Sequence, residues 1–338
     1  MGAEGQDSGL DLAGPSIGTT GEFAVLRQVT ARLPQGPGVL VGPGDDAAVV
    51  AAPDARVVVT TDVLVEDVHF RRDWSSAYEV GRKAAAQNCA DVAAMGARAT
   101  ALVVGLSAPR DLPLDWATGL TDGLRDESAR AGASVVGGDM TRGERVVVSV
   151  TALGDLEGRA PVLRSGARPG DLVVVAGALG TSAAGLALHL RGDAALLESW
   201  AALAAAHRVP VPDYAAGPAL ARAGATAMLD VSDGLLQDLG HVAAASGVDL
   251  VVDAAALEPD LERVGGAAAA LGEQGWDWVL GGGEEHALAA TLPPGAPLPH
   301  GVRVVGRVVA ASAGGGVVTV AGLAPVRVVR RGWDHYAR

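Results

Sequence analysis

An α/β or α+β protein of two domains is predicted by three observations. The chain has 338 residues, enough for two cores of ordinary size. β-Branched apolar runs alternate with helical patterns along most of its length. Hydrophobic residues make up 49% against 19% charged and 3% aromatic, so the cores must be built from Ala, Val and Leu.

Residues 1–19 are rich in Gly, Ser, Asp and Pro without periodicity and are expected to be disordered. A helix is expected from Gly21 to Leu33, with Phe23, Leu26, Val29 and Leu33 on one face. A turn carrying Asp45 and Asp46 then enters a short strand. The next strand begins at Val57 and is expected to end in Thr60, Thr61 and Asp62, ahead of Glu66, Asp67 and His69. Ser75 and Ser76 offer an N-cap, with Glu79 as capping-box partner of Ser76, for a helix to about Met95. Lys83, Gln87, Asn88 and Asp91 share one face of it, either solvated or turned toward a ligand. Val80, Ala84, Ala85, Val92 and Ala93 form the apolar side.

A strand over residues 99–107, a helix from Leu114 to Ala131, a strand over 133–136 running into Gly137, Gly138 and Asp139, and a strand over 145–154 complete the first domain, 20–155. The second domain, 156–338, opens on a loop with Arg164 and Arg168. A strand over 172–177 then runs into a glycine-rich turn and helix, a turn whose free N–H groups suit a phosphate but which reads more simply as a plain connection. Alanine-rich helices lead to a strand in which Asp230 ends the apolar run, and Asp233 has the position of an N-cap. Three glycines before Glu284 and Glu285, a strand over 302–308 and a terminal Gly-Trp-Asp-His-Tyr close the chain. No fixed-period repeat is present.

Composition excludes several functions. Lys83 is the sole lysine, so neither a phosphate-binding Gly-Lys-Ser/Thr loop nor the strand lysine of protein kinases exists. A formal charge of -13 argues against nucleic-acid and membrane-surface partners, and an anionic ligand would need a mediating cation. The single cysteine, Cys89, precludes an internal disulfide and reads as a core residue of a cytoplasmic protein. No signal peptide and no membrane span are expected.

Asp46, Asp62, Asp91, Asp139, Asp230 and Asp233 are acids placed at the ends of apolar runs in both halves. Taken singly, each reads as a turn or capping residue. If those ends met, the site would hold carboxylates and no lysine, and would attract a hard, oxygen-seeking cation such as Mg2+ together with phosphates. That is the equipment of phosphoryl transfer.

In this order, G-D-D-A-A-V, T-T-D-x-L-x-E-x-V-H-F, N-x-x-D-V-A-A-M-G, V-V-G-G-D, L-D-V-S-D-G-L and G-G-E resemble the thiamine-monophosphate kinase family over about residues 20–338. The family sits within the aminoimidazole-ribonucleotide synthetase-like ATP-binding superfamily. The resemblance implies two domains, each a mixed sheet packed with helices, dimerising through the N-terminal halves. It implies transfer of the γ-phosphate of ATP to thiamine monophosphate, with Asp62, Asp91, Asp139 and Asp230 as catalytic residues. Asp46, Thr60, Thr61, Asp62, Asp91, Asp139, Asp230 and Asp233 would surround Mg2+. Gly138, Asp139, Arg164 and Ser232 would contact ATP, while His69, Glu284, Trp333 and Tyr336 would hold thiamine, whose cationic ring suits an aromatic neighbour. The family's usual G-G-E-D-Y is here Gly282, Gly283, Glu284, Glu285 and His286.

The expected chemistry is direct in-line attack by a phosphate oxygen already anionic at neutral pH, with His69 binding rather than carrying phosphate. Alternatives are a purine-pathway synthetase, a selenophosphate synthetase, a hydrogenase-maturation dehydratase or a non-catalytic nucleotide-binding protein. Cys89 lies where neither the second nor the third would need its cysteine.

Overall fold

The computed structural model describes residues 14–43, 47–312, 314–323 and 332. Asp46, Trp333 and Tyr336 lie outside the described residues. Two short helices lead in: α1 (Ile17–Thr20), capped by Ser16, and α2 (Glu22–Thr30). Among the described residues of α2, Val25 is buried against Leu114 and Ala117 with Val29 packed on the same cluster, whereas Leu26 and, beyond the helix, Leu33 are only partly covered. Val25 joins the expected face because the partner is a helix from further along the chain. A ribbon of β1 (Val39–Val41) and β2 (Val49–Val50) follows.

β3 (Val58–Val65), β4 (Arg98–Ala108), β5 (Ser134–Arg142) and β6 (Val147–Asp155) form a four-stranded sheet. Its order is β3-β6-β4-β5, with only β4 and β5 parallel. One face carries Leu64, Leu102, Val148 and Val150 against α3 (Ala77–Ala94) and α4 (Leu114–Ala131). These helices meet backbone to backbone, since a Cβ on Gly81 would lie 2.1 Å from the Leu120 carbonyl oxygen. Ser76 and Glu79 cap α3 reciprocally, as their spacing predicts. The opposite face leaves Val59, Val63 and Val103 at 61%, 43% and 39% exposure, an open apolar surface.

The strand expected to end at Asp62 runs on to Val65, and the one expected to end before Gly137 runs on to Arg142. Both acids are thus inside strands. Asp62 is tolerated there because β3 is an edge, and its own N–H is taken by Asn88 Oδ1 at 3.1 Å rather than by another strand.

β7 (Leu172–Ala176), β8 (Ala227–Val231), β9 (Asp249–Asp253), β10 (Ala287–Leu292), β11 (Val302–Val309) and β12 (Val318–Ala321) form a six-stranded sheet. Its order is β12-β9-β11-β7-β10-β8, and only β12 and β9 are parallel. Val173, Val175, Leu229 and Val231 bury one face beneath α5 (Thr181–Arg191), with α6 (Ala194–Ser199) and α7 (Ala201–Arg208) outside it. α8 (Ala216–Arg222) lies on the other face. α9 (Leu235–Ser246), α10 (Glu258–Leu271) and α11 (Gly275–Gly281) complete the first layer. On the face that carries α8, Val174, Met228 and Leu288 pack with Ala93 and Ala94 from the end of α3. Helix α3 is therefore shared by both sheets, which leaves its polar stripe at the seam between them.

Candidate active site

The stripe on α3 is turned inward. Lys83 is 2% exposed and Asn88 0%, so the solvated reading fails for both. Two-residue alternation along β3 points Thr60 and Asp62 at this helix. The Thr60 hydroxyl donates to Asp91 Oδ2 at 2.7 Å. Asn88 holds itself by donating to the Ala84 carbonyl at 2.9 Å while accepting from Asp62.

Asp230 reaches the same place from β8. Its Oδ2 lies 2.9 Å from His286 Nδ1, in a buried pair. The loop that brings His286 there is tightly folded against the turn after β8. Glu284 N–H donates to the Ser232 carbonyl at 2.9 Å, and a Cβ on Gly283 would fall 2.0 Å from that oxygen. Glu284 and His286 both take left-handed backbone angles, with φ of 66° and 55°. Non-glycine residues in that region are held by their surroundings, and they concentrate at functional sites.

Burial raises the Asp62 carboxyl above its usual range, and the charge of Asp230 adds to it while His286 and Gln87 oppose. Burial pushes Asp91 up to about 7, with Asp230 and Asp62 adding repulsion against the Thr60 hydrogen bond. Burial alone would lower His286, but the hydrogen bond and charge of Asp230 raise it. Three carboxylates, from β3, α3 and β8, thus repel one another in a largely buried space.

A second group lies alongside. Lys83 Nζ donates to the His69 carbonyl at 3.0 Å and sits 3.3 Å from Glu284 Oε1. His207 Nδ1 lies 3.4 Å from Glu284 Oε2 and 3.0 Å from Ser182 Oγ. Burial pulls Glu284 upward, but the charges of Lys83 and His286 outweigh it and hold its carboxyl below the usual range. His207 is driven down to about 3 by burial and by the Lys83 charge, so it is neutral. His69 Nδ1 accepts from Val65 N–H at 3.0 Å, which puts the proton of the neutral ring on Nε2.

Other expected residues are placed elsewhere. Thr61 points to the open sheet face, donating to the Val150 carbonyl at 3.0 Å and accepting from Thr151. Asp139 shares its row with Gly105, Ser149 and Val63, so it too faces away from Asp62. Gly138 packs against β4, where a Cβ would meet the Val104 carbonyl oxygen at 2.1 Å. Arg164 is exposed on the connection between the sheets. Ser232 and Asp233 are part-buried beside the Glu284 loop, but Asp233 is not the N-cap of α9. Asp238 takes that work, accepting from Asp233 and Gly234 N–H at 3.0 Å each. Glu66 pairs with Arg72 and Val146 N–H, and Asp67 is exposed near Arg145, so both brace the loop rather than join the acids. The glycine-rich turn before α5 spends its N–H groups within the chain, Leu179 on Asp260 and Ser182 on Glu285, which favours the plain connection.

The donor set of Thr60, Asp62, Asp91 and Asp230 is all oxygen and over-supplied with negative charge, which fits a hard cation. Among the described residues, no three His, Cys, Asp or Glu side chains converge closely enough to hold a metal ion as they stand. Sequence reasoning missed the Lys83–Glu284 and His286–Asp230 pairs. The signal available was a lone lysine on a polar helical stripe.

A family model described as "AIR synthase related protein, N-terminal domain" matches residues 44–156. The thiamine-monophosphate kinase of Mycobacterium tuberculosis is 53% identical over 303 residues, covering 90% of this chain and 89% of that protein. That of Corynebacterium glutamicum is 44% identical over 300 residues, covering 87% and 88%. Among solved structures, AaThiL complexed with AMPPCP and TMP superposes with a TM-score of 0.74 at 30% identity, covering 94% of this chain and 97% of that one. The thiamine-monophosphate kinase of Stenotrophomonas maltophilia gives 0.75 at 34% identity, covering 89% and 96%.

Proposed function

The chain belongs to the thiamine-monophosphate kinase family, and on that premise we propose that it phosphorylates thiamine monophosphate with ATP, giving thiamine diphosphate and ADP. It is a phosphotransferase whose acceptor is itself a phosphate group. The observation that carries this reading is the meeting of Asp62 from β3 and Asp91 from α3 with Asp230 from β8, next to the Glu284 loop.

Asp62, Asp91 and Asp230, with Thr60, Asp233 and Asp46, would hold Mg2+. Bound there, the ion would neutralise phosphate charge and align the γ-phosphate for in-line displacement. The chain's own groups have narrower tasks. Gly138, Arg164 and Ser232 would contact ATP, and His69, Glu284, Trp333 and Tyr336 the thiamine end, whereas Asp139 faces the open side of the sheet, away from Asp62. Glu284, kept anionic, suits a cationic thiazolium. No side chain need remove a proton, because the attacking phosphate oxygen is already ionised at neutral pH.

Residues 20–155 would form the ATP-binding and dimerisation domain and 156–338 the second domain. The open apolar face bearing Val59, Val63 and Val103 supports a homodimer through the four-stranded sheet, and Thr61 and Asp139 would then stand at its interface. A cytoplasmic location is supported by a single, buried cysteine. Among the described residues no helix is long and apolar enough to cross a membrane.

The purified protein with ATP, Mg2+ and thiamine monophosphate should form thiamine diphosphate, read by chromatography. No product, with aminoimidazole ribonucleotide formed instead from its precursor, would reverse the assignment.

A further inference from the structure

Lys83 is the sole lysine of the chain and one of its most buried large side chains. An ammonium removed from water in this way must be compensated. Its two partners come from different parts of the chain: the backbone carbonyl of His69 on one side and the carboxylate of Glu284 on the other. A compact ammonium can serve two acceptors that approach from different directions, which a planar guanidinium fork does less readily. Glu284 Oε1 faces Lys83, Oε2 faces the neutral His207, and the side chain as a whole keeps 35% exposure.

The seam itself does not depend on Lys83. Arg208 donates to Glu79 Oε1 at 2.9 Å across it, and Trp74 stacks on His189 with ring centroids 5.0 Å apart. Lys83 therefore acts locally, on the orientation of the two groups it touches.

We propose that Lys83 is a positioning residue for the thiamine end of the substrate, clamping the His69 backbone and the Glu284 carboxylate into one recognition unit across the seam. The inference rests on the assignment of His69 and Glu284 to thiamine monophosphate. Lys83 neutralises Glu284. A bound thiazolium competes for the same carboxylate, so binding must change the surroundings of the ammonium.

A single lysine makes this directly observable. Protein grown on 15N-lysine carries one side-chain Nζ resonance, which should shift on titration with thiamine monophosphate and stay in place with ATP alone. Lys83→Met should raise the KM for thiamine monophosphate at least tenfold while the KM for ATP stays within twofold. If that variant fails to fold, the Lys83→Met/Glu284→Gln pair removes the unpaired charge, and the wild-type resonance decides alone. A resonance unmoved by thiamine monophosphate, in a preparation that converts it to thiamine diphosphate, overturns the positioning role and leaves the activity standing. Equal rises in both KM values do the same. A wild-type protein that makes no thiamine diphosphate overturns the functional assignment, and this inference with it.

Discussion

The Thr60 hydroxyl donates to Asp91 Oδ2 at 2.7 Å, so the edge strand of one sheet is tied to the shared helix at an acid rather than by apolar contact alone. That bond favours the ionised form of Asp91, against the burial that raises its carboxyl to about 7. It also fixes which side of the strand looks into the site.

Thr60→Val keeps the shape and removes the donor. Hydrogen bonds to charged groups contribute about 1.5–3 kcal/mol net, so the variant should lose about 2 kcal/mol in urea unfolding at pH 8, where Asp91 is ionised. A loss that is the same at pH 5, where Asp91 is protonated, would show that the charge plays no part.

Asp62→Asn removes one of the three mutually repelling carboxylates without changing volume. Turnover should fall by about 100-fold or more, as when a preorganised electrostatic group is lost. The melting temperature should hold or rise, since burial already disfavours the Asp62 charge. A variant that keeps most of its activity would remove the acid cluster from the mechanism.

Much of this site was readable in the chain, and the errors have physical causes. The capping box at Ser76 and Glu79 and the helical stripe to Asp91 are local patterns, and they appear as spaced. An acid in an apolar run reads as a strand end because an acid inside a strand is costly; Asp62 escapes that cost on an edge, with Asn88 as partner. Thr60 and Thr61, neighbours in a strand, face opposite ways, an alternation that the strand period itself dictates. Lys83 with Glu284, and Asp230 with His286, are tertiary pairs that no local period announces.

Val59 and Val63 stand on the open face of the four-stranded sheet, away from Asp62, Asp91 and Asp230. Val59→Lys/Val63→Lys puts two like charges on this face, which a two-fold axis through it would double. Light scattering should show the wild-type protein at twice the chain mass and the variant at the chain mass. A wild-type monomer would leave the open face without this role.

Glu285 carries a pH dependence of its own. Its Oε1 accepts from Ser182 N–H at 2.9 Å, its Oε2 has no hydrogen-bond partner among the described residues, and burial pushes the carboxyl up to about 8. Unfolded, the group titrates near 4.5. Between those values the unfolded chain has released a proton that the folded chain keeps, so raising the pH favours unfolding. The stability associated with this residue is complete below 4.5 and is lost as pH rises through 8, with a slope of at most about 1.4 kcal/mol per pH unit. Glu285→Gln retains the acceptor for Ser182 and cannot ionise. Urea unfolding should find the two proteins similar at pH 5 and the variant more stable by about 2 kcal/mol or more at pH 8. A difference that does not change between those two pH values would mean that Glu285 is ionised in the folded protein, with its charge compensated by a partner other than Ser182.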